Sequence, residues 1–188
     1  QFMREVTFDF ESTNIPSFTE NGVHIFIAGL ARAGTTILLN ALYESNIFAS
    51  LSYADMPFVL APNLWSKISF NKKNLELKER AHGDGIKVST NSPEAFEEVF
   101  WKTFAEDDFK IEEKFRVYVA NIVRKYKKER YLSKNNQNIK RVELISSIFT
   151  QSKILIPFRE PIQHAFSLLT QHKKFIEDAK TINLYQNI

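Results

Sequence analysis

Residues 29 to 36, GLARAGTT, combine two glycines with a closing pair of threonines, the make-up of a loop that wraps an anion. Such a loop converges main-chain N–H groups and a helix N-terminus on the ligand, and glycine lets the backbone come close. Gly29, Gly34, Thr35 and Thr36 keep that logic, yet Thr35 stands where the nucleotide-hydrolysing pattern GxxxxGK[ST] carries its lysine. The cation is displaced to Arg32, inside the loop. A guanidinium there offers a planar fork of donors to a tetrahedral oxyanion. Ordinary ATP or GTP hydrolysis is disfavoured by the missing lysine, and a plain strand-to-helix turn is the alternative to an anion site.

A second stretch, ILIPFREPIQHAFSLL, places Arg159 just after an apolar run and Ser167 eight residues later. Ligands of open parallel sheets bind beyond the carboxyl ends of strands. If a helix begins near Pro161, Ser167 lies almost two turns along it, and the two residues can grip one phosphate through a charge-assisted fork and a hydroxyl. A surface arginine and a solvated serine are the alternative. His24 sits on an apolar strand and is expected in the core, His164 and His172 on a helix surface. No histidine or acidic residue has metal-ligand spacing such as HExxH.

The elements that must position these residues alternate between strand and helix. VHIFIA, residues 23 to 28, and SKILIPF read as buried strands of a parallel sheet. TTILLNALYES follows the first strand with apolar residues at helical spacing, and EPIQHAFSLLTQH follows the second with proline where a first turn tolerates it. Ile111, Phe115, Val119, Ile122 and Tyr126 form one helical stripe, acidic at its start and basic at its end. SPEAFEEVFW predicts a helix capped by Ser92 with Pro93 in its first turn, and RVELISSIF predicts another leading into the second strand. Residues 45 to 90, broken by Pro57, Pro62, Gly83 and Gly85, read as loop and short helices over one end of the sheet.

At 188 residues, 44% hydrophobic and 25% charged, the chain has one domain's worth of core. Its 17 phenylalanines read as packing. A net charge of +3 suits an anionic ligand but makes no nucleic-acid surface, and the absence of cysteine excludes thiolate chemistry and fits a reducing, cytoplasmic setting. No apolar run approaches the roughly 18 residues of a membrane span. RKYKKER, residues 124 to 130, completes a helix dipole; attraction of an acidic glycan or lipid is its other reading.

The two motifs together resemble the sulfotransferases that use 3′-phosphoadenosine 5′-phosphosulfate (PAPS), closest to the tyrosylprotein and glycan-type branch. RAGTT, Arg32 to Thr36, is similar to the family's 5′-phosphosulfate loop, and Arg159 with Ser167 to its 3′-phosphate element, in type, spacing and order. The resemblance spans roughly residues 23 to 175. It implies a three-layer α/β, P-loop-like fold with a central parallel sheet flanked by helices. It implies in-line transfer of a sulfuryl group to a hydroxyl or amine of a small-molecule, glycan or lipid acceptor, without metal. Arg32 and the N–H groups of Ala33, Gly34, Thr35 and Thr36 are then expected on the phosphosulfate, Arg159 and Ser167 on the 3′-phosphate, and Lys134 near the sulfuryl group. Asp55, 23 residues after Arg32, is the expected general base, with His82 and Asp84 as the rival pair. A P-loop kinase or NTPase, or a non-catalytic nucleotide-binding protein, are the rival functions. The chain ends about twenty residues beyond Ser167, where the family usually continues, so residues 1–188 are expected to be a single sulfotransferase-like domain incomplete at its C-terminus.

Overall fold

The computed structural model describes residues 2–13, 23–69, 78–79, 87–104 and 109–186. In chain order the elements are α1 (Phe2–Ser12), β1 (Ile25–Ile27), α2 (Thr35–Glu44), β2 (Phe48–Ala49), a 3-10 turn (Tyr53–Asp55), α3 (Pro62–Ile68), β3 (Lys78–Glu79) and β4 (Lys87–Val88). They continue with α4 (Glu98–Thr103), α5 (Ile111–Tyr126), β5 (Arg130–Lys134), a second 3-10 turn (Asn136–Lys140), α6 (Val142–Ile148), β6 (Lys153–Leu155) and α7 (Pro161–Gln186).

Four strands make a parallel sheet in the order β2-β5-β1-β6, and β3 pairs antiparallel with β4. The mixed α/β architecture expected from the sequence is therefore present, with the first strand in an interior position. All three β1 residues are buried, as a strand covered on both faces requires. Their alternation sends them into two cores. Phe26 packs with Phe100, Phe115, Tyr118 and Val119 on the face covered by α4 and α5, whereas Ile25 and Ile27 pack with Leu39 of α2, Phe48 and Leu132 on the other. The phenylalanines do serve as packing: Phe100 meets Phe115 at 5.2 Å between ring centroids and Phe104 at 5.0 Å.

Helix α5 follows the predicted stripe, with Ile111, Phe115, Val119 and Ile122 buried and Lys127 closing it in the left-handed conformation. Its basic end lies at the start of β5, where Lys128 Nζ donates to Asn46 Oδ1 at 2.9 Å and Arg130 Nε to the Val23 carbonyl at 2.8 Å. That is the opposite end of the strand from Lys134, so residues 124–130 do not border the glycine loop.

The helix predicted from Ser92 begins only at Glu98. Ser92 and Pro93 are instead bound edge to edge to the segment after β2: Tyr53 N–H donates to Ser92 O at 3.3 Å, Glu94 N–H to Leu51 O at 3.1 Å, and Ser52 bridges Pro93. Tertiary hydrogen bonds override the local cap signal here. Helix α1 docks through buried Glu11, whose carboxylate accepts the Asn63 and Leu64 N–H groups and the Asn63 amide at the start of α3.

Candidate active site

The glycine loop leaves β1 beside β6. Ala28 N–H donates to Leu155 O at 2.9 Å, and a Cβ added to Gly29 would stand 3.5 Å from the Pro157 ring, so the two strand ends run in close contact. Two left-handed residues then turn the chain into α2, Arg32 at φ 68° and Gly34 at φ 92°. For arginine this costs about 1–2 kcal/mol, and the surroundings hold it there. His164 Nε2 donates to Ala31 O at 2.7 Å, and Arg159 Nη1 donates to Arg32 O at 3.3 Å. His164, expected on a helix surface, is thus 8% exposed and pins the loop.

The side chains converge as well. Arg32 Nε donates to Ser167 Oγ at 3.1 Å, so Arg32, Arg159 and Ser167 make one contiguous cationic cluster. The cause is topological: β1 and β6 are adjacent, so the turns that follow them open side by side. Of the loop's N–H groups, that of Ala33 donates to Leu30 O at 3.3 Å and is spent inside the turn. Thr35 and Thr36, both buried, open α2, whose first backbone bond is Leu38 N–H to Gly34 O, so their N–H groups have no acceptor within the helix. The Glu160 carboxylate folds back on the start of α7, accepting the Gln163 N–H at 2.8 Å and the Ile162 N–H at 3.1 Å, which hold it below the usual carboxylate range.

One strand across from the loop, β5 ends at Lys134, in register with Ile27 of β1. From β1 the chain crosses to β2 on one side, and from β5 it crosses by α6 to β6 on the other. Such diverging connections open a crevice at the carboxyl ends of the two strands. Lys134 Nζ lies 3.9 Å from Glu94 Oε1, and Tyr53 OH donates to Glu94 Oε2 at 2.9 Å. Glu94 carries no local signal of this role, because the SPE triplet reads as a helix start. His164 was detectable: it stands three residues before Ser167, one turn along the same helix face.

Asp55 is placed differently from the expectation of a general base. Its side chain is wholly buried and its carboxylate is filled: Oδ2 accepts Ser52 N–H at 2.7 Å, Ser52 Oγ at 3.3 Å and Tyr126 OH at 2.6 Å, and Oδ1 pairs with Lys125 Nζ. Burial pushes the Tyr126 hydroxyl up to about 12. Proton transfer to Asp55 would break this ion pair at a fully buried carboxylate, an arrangement that suits a structural part. His82 and Asp84 lie outside the described residues. Among the described residues no group of three His, Asp or Glu side chains could hold a metal ion, and no helix is long and apolar enough to cross a membrane.

A parallel sheet with a glycine turn feeding a helix, and a cationic cluster at its carboxyl edge, defines a P-loop-like α/β protein. Residues 24–184 match the profile of the Sulfotransferase family, and the chain belongs to that family. Its fold is similar to the crystal structure of the sulfotransferase STF1 from Mycobacterium tuberculosis H37Rv, with a TM-score of 0.50 and 12% sequence identity over 84% of this chain. The matched region spans 50% of that protein's chain. No curated protein matches the sequence.

Proposed function

We propose that the chain binds PAPS as sulfuryl donor and passes the sulfuryl group directly to a hydroxyl or amine acceptor. The observation that carries this reading is the meeting of Arg32, Arg159 and Ser167, far apart in sequence, at one edge of the sheet. Arg159 and Ser167 would hold the 3′-phosphate. Arg32 and the N–H groups of Gly34, Thr35 and Thr36 would hold the 5′-phosphosulfate. The donor set suits such a ligand, being cations, hydroxyls and main-chain N–H groups.

The bound donor supplies an activated sulfuryl group whose departure leaves negative charge on the 5′-phosphate. Arg32 and Lys134 would offset that charge, and the crevice between the ends of β1 and β5 would orient the acceptor for in-line attack. Thr35 at the usual lysine position weighs against a phosphoryl-transferring P-loop enzyme.

Thermal-shift measurements compare 3′-phosphoadenosine 5′-phosphate (PAP), adenosine 5′-phosphate and ATP with magnesium. Stabilisation grows with ligand saturation, so PAP should give the largest rise in Tm. Equal rises for all three would refute the assignment.

A further inference from the structure

We propose that Glu94, with Lys134 and Tyr53 beside it, is the group that takes the proton from the acceptor hydroxyl; this rests on the sulfotransferase reading of the same site. The main chain fixes its place. Glu94 N–H is tied to Leu51 O at 3.1 Å and the preceding Pro93 is bridged to Ser52, which sets residue 94 over the carboxyl end of β5. Its Oε1 accepts the Ala95 N–H at 2.8 Å and faces Lys134 Nζ at 3.9 Å, while Oε2 accepts from Tyr53 OH at 2.9 Å. Lys134 is in register with Ile27, two residues before the glycine loop, on a neighbouring strand about 4.8 Å away. The carboxylate therefore borders the crevice next to the expected donor site.

Three further observations separate Glu94 from the other acids nearby. Its side chain is 14% exposed and that of Lys134 11%, whereas the Asp55 side chain is fully buried. Glu97 is buried and spent on Trp101 Nε1, Tyr131 OH and Asn138 Nδ2. Glu98 pairs with Arg141 Nη1 and accepts from Asn135 Nδ2 rather than facing Lys134. Of these three acids, Glu94 is the one paired with the strand-end lysine.

In the transfer, the acceptor oxygen forms its bond to sulfur as the bond from sulfur to the 5′-phosphate oxygen breaks. The acceptor proton passes to a Glu94 carboxylate oxygen, and the electron pair of the broken bond leaves on PAP, whose new charge faces Arg32 and Lys134. Tyr53 OH and Ala95 N–H hold the carboxylate in place.

General-base help matters for an acceptor that holds its proton and little for one already ionised. The test uses labelled PAPS at pH 8 with two phenols, 4-methylphenol, whose pKa is near the tyrosine value of about 10, and 4-nitrophenol, largely ionised at that pH. Glu94→Gln should lower turnover of 4-methylphenol about 100-fold or more and that of 4-nitrophenol far less, with Glu94→Asp intermediate and the PAP thermal shift equal to that of the parent chain. Equal losses on both phenols, an unchanged rate with 4-methylphenol, or loss of the PAP shift would overturn the assignment. If the parent chain sulfates neither phenol, release of labelled sulfate to water takes their place, and an undiminished or undetectable release overturns it too. A parent chain that PAP does not stabilise sinks the sulfotransferase reading itself, a separate outcome read before any variant is made.

Discussion

Asp55→Asn tests whether the buried carboxylate is scaffold or catalyst. The substitution keeps the shape of the side chain and its contacts with Ser52, but it removes the charge facing Lys125, whose side chain is only 15% exposed. Removing one member of a buried ion pair costs about 3–5 kcal/mol, and the Glu11 charge then remains to offset Lys125. For a chain of this size each kcal/mol lowers Tm by about 2–4 °C, so a fall of about 10 °C is expected. Lys125→Met alone should also destabilise, because the carboxylate then loses its cation. The double variant should recover at least half of the summed loss, since an apolar replacement of both charges is often nearly neutral. Thermal scanning and urea titration measure the cycle, and PAP binding at a temperature where all variants are folded reads the site. An Asp55→Asn chain with unchanged Tm, intact PAP binding and abolished sulfuryl transfer would refute the scaffold role and restore Asp55 as proton acceptor.

Arg159→Ala should weaken PAP by about 10- to 100-fold, the worth of a hydrogen bond to a charged group, and adenosine 5′-phosphate far less, as read by calorimetric titration. Gly34→Ala should cost about 1–2 kcal/mol in urea unfolding, the price of φ 92° for a residue with a Cβ, with no steric loss because nothing lies within 4 Å of the added carbon. His24 is held neutral: burial, and then the Arg130 charge, lower it from 6.5 to about 4, and its Nδ1 accepts the Tyr131 N–H. Because the folded value lies below the unfolded one, this stabilisation is complete above pH 6.5 and is lost as pH falls toward 4, approaching about 3 kcal/mol; His24→Asn should flatten that part of the curve.

The parts of the molecule legible in sequence are those where local chemistry and tertiary demand agree. VHIFIA is apolar throughout because β1 is covered on both faces, and the stripe from Ile111 to Tyr126 repeats at helical spacing because α5 buries one side. The Arg32 loop and the Arg159 turn were visible because their positions need glycine, proline and cations in fixed order. What stayed hidden depends on contacts across the fold. Ser92 and Pro93 have the chemistry of a helix cap, yet their backbone bonds to the segment after β2 and postpones the helix to Glu98. That exchange carries Glu94 to the end of β5, a placement no local pattern encodes. Asp55 is the complementary case. An aspartate at a family-like distance from the loop looks free on paper, whereas two of its partners, Lys125 and Tyr126, come from α5, some seventy residues on.

The interior position of β1 is what makes two distant anchors meet. From its carboxyl end one backbone bond runs to each side: Ala28 N–H to Leu155 O on β6, and Asn135 N–H to Ile27 O from the end of β5. The glycine loop is thereby fixed at once against the turn bearing Arg159 and against the strand bearing Lys134. A slip of one residue in either pairing would turn the partner strand's side chains to the opposite face of the sheet, taking Lys134 away from Glu94 or Arg159 away from the Arg32 carbonyl. Since Phe26 alone of the β1 residues enters the larger aromatic core, that slip is also opposed by packing. The same alternation that divides the two cores therefore holds both sides of the crevice in register, and the site inherits its geometry from the core rather than from the loops that line it.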